Sequence, residues 1–399
     1  MTETVSEPVE PEHVFEIQGS NQSGMRKRNE RLVLTILRQQ GALPKAEIAR
    51  KTGLSAQTVS VIMRALESDG LLEKGEKVRG KVGQPSVPMA LAPEGAFFLG
   101  LKVGRRSAEL VLVDFVGAIK ARRRATYRYP TPEGTLDFVR ASVDDVLAEL
   151  PRSQRSRIAG LGIASPFFLW EWASTVGVAE SEMAAWRECD LRAEIDAIFD
   201  FPVYLGNDAT CACGAELVFG KARTPRDYLY VYVGYFVGGG VVLNGNLYIG
   251  NSRNAGAVGP FPINDGSGGD RQLVDVASLA GLERRLLDAG GDAKKMWEDP
   301  EAWEIDEAVV SDWLEEAAPA ISHLILAAIS IIDFSGIVID GSMPVDLREK
   351  IVAAVKDALG RSNLSGLIVP EIVSGSTGAD ARPLGAASLP LSKRFMLET

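Results

Sequence analysis

Cysteine and histidine are scarce in these 399 residues: three Cys (Cys189, Cys211, Cys213) and two His (His13, His323). So few ligands exclude a disulfide scaffold and most zinc sites, and the odd, low cysteine count fits a reducing cytoplasm. No run of about 18 apolar residues occurs, so no membrane span is predicted. The opening stretch MTETVSEPVEPEHVFEIQGS is acidic and lacks an apolar h-region, which argues against a signal peptide. What the chain does have is 46% apolar residues, too many for a disordered protein and ample for sizeable cores. At roughly 150 residues per domain, two or three domains are expected, in a soluble cytoplasmic protein.

Charge is unevenly spread. The whole chain carries 43 Lys and Arg against 53 Asp and Glu, a net −10 that argues against a general polyanion binder. Residues 1–20 hold five Glu and no Lys or Arg, and read as a disordered acidic tail. Residues 21–92 reverse the sign, with thirteen Lys and Arg against six Asp and Glu. A solvated charged face would give the same count, so the motif inside the segment has to decide.

That motif is helical. Leu32, Val33, Ile36 and Leu37 form one apolar stripe in a helix read from Asn29 and ended by Gly41-Ala42-Leu43-Pro44. A second helix, Lys45 to Thr52, turns Ile48 and Ala49 inward and stops at Gly53. A third follows Ser55, a natural N-cap, and runs to about Asp69 with Val59, Ile62, Met63 and Leu66 inward. Leu71–Lys74 and Val87–Leu91 then read as short strands around a Gly- and Lys-rich loop, Arg79 to Pro85. Helix, helix, glycine turn, helix and two strands make a winged helix-turn-helix, and double-stranded operator DNA its partner. Gln57, Thr58, Ser60 and Arg64 lie opposite the apolar stripe of the third helix, where Gln can bond adenine and Arg can bond guanine or phosphate. Arg79 and Lys81 in the wing can neutralise phosphates, and Ser55 and Gln84 complete the candidate contacts. The alternative is a helical protein-interaction domain with a charged exterior.

From residue 93 onward the pattern is α/β. Strand-like runs fall at Phe98–Val103, Glu109–Asp114, Ile158–Ile163, Val203–Leu205, Tyr228–Val233, Gly240–Leu243 and Gly336–Ile339, with helical stretches such as Leu136–Leu150, Thr210–Phe219 and Val310–Ile332 between them. Mixed sheets with helices packed on them are expected. Ile321–Ile332, nearly all apolar, reads as a buried core helix.

The ordered segments LGLKVGRRSAELVLVDFVG, GLGIASP, YLGNDATCACGAE, VGGGVVLNGNLYIG and GADARPLGAASL, behind the N-terminal module, resemble the ROK family of repressors and sugar kinases. The resemblance implies an actin-like, ribonuclease-H-like two-lobed body over residues 93–399 with a sugar cleft between its lobes. For the branch with a winged helix it also implies homodimers or tetramers.

The kinase chemistry of that family needs glycine turns that cradle ATP phosphates and an acid that handles magnesium. Where the family reads Asp-x-Gly-Gly-Thr-Lys, this chain reads Lys102-Val103-Gly104-Arg105-Arg106-Ser107; where it reads Gly-Thr-Gly-x-Gly-Gly-Gly, this chain has Gly234-Tyr235-Phe236-Val237-Gly238-Gly239-Gly240. Bulk stands where close approach is required, so no catalytic residue is assigned. The sugar side resembles the family at Asn207-Asp208, where a carboxylate can accept two charge-assisted bonds from hydroxyls, and at Gly162, Ser165 and Glu182. An Asx cap on the following helix accounts for Asn207-Asp208 equally well.

The family's Glu-x-Gly-His appears as Ala257-Val258-Gly259-Pro260, and its cysteine-rich zinc loop as Asn264–Gln272 without cysteine, so neither metal nor cofactor is expected. Cys211 and Cys213 read as small packing residues in a helix. Trp170, Trp172 and Trp186 could stack on a sugar or pack in the core.

These readings converge on a repressor of carbohydrate uptake or catabolic genes, governed by a sugar-like effector that alters lobe closure. Two alternatives stay open: a sugar kinase with a DNA-binding arm, and a DNA-binding dimer without an effector.

Overall fold

A computed structural model describes residues 22–75, 87–173, 177–221, 224–263, 271–301 and 303–397. The acidic tail and the wing fall outside the described residues. The first helix, α1 (Gln22–Gln40), starts about two turns before the apolar stripe, and its residues 24–28 are exposed. Helices α2 (Lys45–Thr52) and α3 (Ala56–Ser68) follow as read. Gly53 ends α2 with φ 69° and has no atom within 4 Å of where a Cβ would stand, so left-handed backbone alone calls for glycine there. Strands β1 (Leu72–Lys74) and β2 (Met89–Leu91) pair antiparallel at the base of the wing.

The body holds two five-stranded sheets built on one plan. In lobe 1, β3 (Phe97–Val103), β4 (Ser107–Asp114) and β5 (Ile119–Thr126) run antiparallel, then β6 (Ile158–Ala164) and β7 (Val203–Gly206) add on parallel, in the order β5-β4-β3-β6-β7. In lobe 2, β8 (Tyr228–Val233), β9 (Val237–Leu243) and β10 (Asn246–Tyr248) repeat the antiparallel half. A small ribbon, β11 (Pro262–Ile263) with β12 (Arg271–Gln272), intervenes before β13 (Gly336–Gly341) and β14 (Glu371–Ser374) complete the order β10-β9-β8-β13-β14.

Helices cover both faces of each sheet, which is why β3, β4 and β8 are buried along their whole length. Helix α4 (Pro132–Ala148) packs Val139, Val143 and Val146 on one face of lobe 1. Helix α5 (Asp208–Phe219) leaves β7 and lies against lobe 2, with Cys213 among Tyr228, Tyr230 and Val242. Helices α6 (Leu279–Asp288), α7 (Lys294–Glu298), α8 (Glu307–Ile331) and α9 (Val345–Gly360) build the other side of lobe 2. By length and composition α8 could cross a membrane, yet Trp313, Ala317, Ile321 and Ile325 have no exposed surface in this core. The last helix, α10 (Ala381–Phe395), returns to lobe 1 and covers its second face.

Helix α10 lies on backbone. A Cβ on Gly162 would stand 1.8 Å from the Ala386 carbonyl oxygen, one on Gly100 2.2 Å from that of Pro383, and one on Gly385 1.9 Å from that of Cys211. Cys211 and Cys213, both buried, are the small residues that this packing admits. Gly162→Ala is therefore expected to destabilise the protein by about 3 kcal/mol or more. Gly360→Ala, at an exposed helix end with nothing within 4 Å, should be neutral or slightly stabilising. Chemical denaturation followed by circular dichroism distinguishes the two; equal effects would discount the contact under α10.

Candidate functional site

The reading helix is presented by its neighbours. Ser55 caps α3, accepting the Thr58 amide at 3.1 Å, and its hydroxyl lies 2.8 Å from that of Thr58. Those two sequence candidates are thus partly occupied in holding the helix start. Gln57 and Arg64 are exposed, and Ser60 is half-buried with its carbonyl accepting Arg64 Nε at 3.2 Å. Between them Val61 is 46% exposed, on the face of Gln57 and Arg64 at the i, i+4, i+7 spacing. Sequence reading passed over it, although an apolar residue outside the 59/62/63/66 stripe was the available signal; such a side chain can meet a thymine methyl group. Arg79, Lys81 and Gln84 lie outside the described residues, but their loop's base is set by the β1–β2 pairing and by the Gly75 amide donating to Pro88 at 2.8 Å.

This module shares a core with lobe 1. Val33 and Leu37 of α1 belong to one apolar cluster with Phe98, Phe115 and Phe395, and the three phenyl rings stand 5.0–6.2 Å apart. Arg38 donates to the Phe115 carbonyl and lies over its ring. Arg157 bridges from the body to the carbonyls of Asp69 and Gly95 at 3.2 and 3.0 Å. Thr35 accepts the Leu397 amide at 3.0 Å, just past the end of α10.

Between the lobes lies a cleft of about 990 Å³. Asn207 and Asp208 line it from the end of β7. Asn207 caps α5, accepting from the amides of Ala209 and Thr210 at 3.1 and 3.3 Å, so the cap and the cleft position coexist. Asp208 faces Arg382 of α10 at 3.5 Å. Arg382 was not anticipated, since 174 positions separate the two and only the fold joins them.

The remaining sugar-side candidates are dispersed. Gly162 sits mid-strand beneath α10 and does not line the cleft; close packing accounts for it. Ser165 is buried, bonds the Pro166 carbonyl at 3.2 Å, and borders a separate pocket of about 350 Å³ with Trp170 and Trp186. Glu182 accepts from the Tyr129 hydroxyl on the outside of lobe 1, and neither pocket includes it. Trp186 is buried and donates to the Pro130 carbonyl at 2.9 Å, a core position.

Near Asp208 the cleft wall carries Lys102, Arg122 and Arg124 beside Glu109. Lys102 of β3 is 9% exposed, with its ammonium 3.3 Å from the Ser107 hydroxyl and 3.9 Å from Glu109. Burial, then the nearby Arg382 guanidinium, pulls its pKa from the ordinary 10.5 down to about 7, against a smaller upward pull from Glu109. Further along, Arg105 lies 3.9 Å over the ring of Tyr235. Tyr235 in turn packs on Phe236 at 4.9 Å and on Trp297 of α7 at 5.1 Å. This stack runs from the β3–β4 turn of lobe 1 to lobe 2.

The glycines beside it serve packing. A Cβ on Gly240 would meet that of Cys213 at 2.5 Å, and one on Gly238 would meet that of Ala209 at 2.7 Å. Among the described residues no group of three or more His, Cys, Asp or Glu could hold a metal ion.

The ROK family model matches residues 98–393. The chain belongs to the ROK family. A winged helix-turn-helix DNA-binding model matches residues 26–73 ahead of the ROK body. An uncharacterized Sinorhizobium fredii protein, y4fQ, is 26% identical over 92% of this chain and 91% of its own. The xylose repressor of Bacillus subtilis is 25% identical over 61% of this ROK chain and 62% of the repressor. A solved ROK family transcriptional regulator, a homolog of the Escherichia coli MLC protein, matches with a TM-score of 0.66 at 18% identity, covering 94% of this chain and 98% of that one. The ROK glucokinase of Streptomyces griseus, solved with glucose and AMPPNP, matches with a TM-score of 0.57 at 20% identity over 74% of this chain and 99% of its own. At these identities the solved structures establish the shared fold.

The buried ammonium makes a pH prediction. Because the folded-state pKa of Lys102 lies below its unfolded value, the unfolded chain binds more protons between about 7 and 10.5. The penalty of burying this charge is complete below that window and relieved as pH rises through it. Lys102→Met is expected to raise stability at pH 6 by about 1–4 kcal/mol, with the advantage shrinking toward pH 10. Denaturant titrations of both proteins at pH 6, 8 and 10 measure this; a pH-independent difference would contradict it.

Proposed function

We propose that this ROK protein is a DNA-binding transcriptional repressor of carbohydrate uptake or catabolic genes in the bacterial cytoplasm, acting as a homodimer or tetramer. A sugar-type effector in the interlobe cleft sets its operator affinity. The observation that carries the reading is the course of α10. Its first turn brings Arg382 to Asp208 in the cleft, and its last turn sets Phe395 against Phe98 and Phe115 in the core shared with α1. Ligand contacts at one end of a rigid helix can thus bias the placement of the reading helix at the other. An effector must favour one lobe arrangement to do so, and a coupling of about 1–3 kcal/mol is the usual scale. The repressor names among the relatives support the same reading.

On this reading the cleft does not use ATP and magnesium as kinase substrates. Support comes from the Arg105–Tyr235–Trp297 stack, which puts bulk on the cleft wall at the segments that resemble the family's glycine turns, and from Lys102, which stands where the family has its acid. The purified protein is therefore expected to transfer no phosphate from ATP to a hexose; such activity, lost in Asp208→Ala, would assign the kinase reading instead.

Genome-wide footprinting identifies the operator, and mutant binding to it tests the module. Gln57→Ala should change sequence preference, at a cost of about 1–3 kcal/mol on the preferred site. Lys81→Ala should weaken all sites alike and reduce the salt slope by about 1. Unaltered sequence preference in Gln57→Ala would remove α3 from the operator groove.

A further inference from the structure

We propose that the cleft ligand carries a negative charge, a carboxylate or phosphate on a sugar-like frame, and that Lys102, Arg124 and Arg382 receive it beside Asp208. The proposal rests on the reading of the cleft as the regulator's ligand site, and names the chemical class that the site takes.

The charges around Lys102 come from five elements. Lys102 itself lies on β3, Glu109 on β4, Arg122 and Arg124 on β5, Asp208 on α5, and Asp380 and Arg382 at the start of α10. Arg122 holds two of the carboxylates, Glu109 and Asp380, each at 2.7 Å. Asp208 then stands alone against Lys102, Arg124 and Arg382. Within this cluster, set apart from the acids that line the outer cleft, four cations meet three carboxylates while Lys102 is protonated, and one anionic group balances that local excess.

Donors are free to meet that group. An ammonium has three N–H bonds, and that of Lys102 makes a hydrogen bond to Ser107 while Glu109 stands beyond hydrogen-bond length at 3.9 Å. The Nε of Arg382 is buried with no partner among the described residues. Burying a cation whose ion-pair partner, Glu109, stands as far off as 3.9 Å is costly. Such a residue is tolerated where function uses it, because stability and function trade against each other. A neutral sugar would gain little here, since its hydroxyls must compete with Arg382 for Asp208. An anion gains charge-assisted bonds from both cations and desolvates nothing that lacks a counter-charge.

Calorimetry of the full-length protein with four probes tests this: inorganic phosphate, gluconate, glucose 6-phosphate and glucose, at low salt. Phosphate is expected to bind, as is at least one of the two anionic sugars, at least about tenfold tighter than glucose. Gluconate against glucose 6-phosphate tells a carboxylate from a phosphate ligand. Lys102→Met and Arg382→Gln should each weaken the anionic probes about tenfold or more, with circular dichroism checking that both are folded. Asp208→Asn supplies a test of opposite sign: removing the one opposing carboxylate should tighten inorganic phosphate.

Glucose binding as tightly as every anionic probe, no anion binding at all, or anion affinity unchanged in both cation variants would each overturn the proposal. So would weaker phosphate binding in Asp208→Asn. Operator binding by the wild type is measured separately. Operator release by glucose without anion binding would sink the charged-ligand inference and leave the repressor reading standing. Anion binding that depends on Lys102, with no operator found, would do the reverse.

Discussion

Helix α10 touches the sheet of lobe 1 through bare backbone, and the rest of the molecule is arranged around that contact. Gly100 and Gly162 strip side chains from two adjacent strands, and Gly385 strips one from the helix where it crosses α5. Contact at this distance leaves no room for sliding, because a packed interface between backbones has few alternative registers. The helix therefore behaves as a bar with fixed ends. One end puts a guanidinium into the cleft. The other closes the apolar core under the reading module.

The approach to that bar is anchored to the second lobe. The chain leaves β14 and reaches α10 through residues 375–380, which are held by two buried acids. Asp340, with no exposed surface, accepts from Arg348 at 2.5 Å, from the Thr377 hydroxyl at 2.9 Å and from the Gly378 amide at 3.1 Å. Glu216 of α5 accepts from the Ser376 amide and hydroxyl at 2.8 and 2.9 Å. The Lys221 amide adds a bond to the same hydroxyl at 2.7 Å. The two chain crossings between lobes are thus tied side by side. A change in lobe closure has to act through this pair, and α10 starts at it.

Local signals in the sequence reached far into the DNA-binding module and less far into the cleft. The ends of α2 and α3 are written in Pro44, Gly53 and Ser55, each of which acts within a few residues of itself, so they were legible. Strand β5 was not, because IKARRRAT has the polar alternation of an edge strand and no apolar run. The aromatic bulk at Tyr235 and Phe236 was legible as bulk. Its partners were not: Arg105 and Trp297 join the stack only through tertiary folding. Gly162 shows the limit from the other side. A glycine in a strand satisfies a ligand turn and a close helix contact equally, and nothing within its own segment distinguishes them. Arg382 was hidden for the same reason as its pairing with Asp208, which spans both lobes.

The cleft's electrostatics follow from these long-range meetings. An acid at position 102 would add to Glu109, Asp208 and Asp380 and leave the wall with four carboxylates against Arg122, Arg124 and Arg382. A lysine there, when protonated, inverts the balance within this cluster. The ammonium is nearly buried, 9% exposed at the cleft wall, so its charge is felt in a medium that screens poorly. The glycines of β9 answer to packing. Gly238 and Gly240 remain small because Ala209 and Cys213 of α5 press on them, a demand of packing that persists with or without a nucleotide. A sheet-and-helix frame that places small residues for its own assembly thus leaves the character of its cleft to a few charged and aromatic side chains.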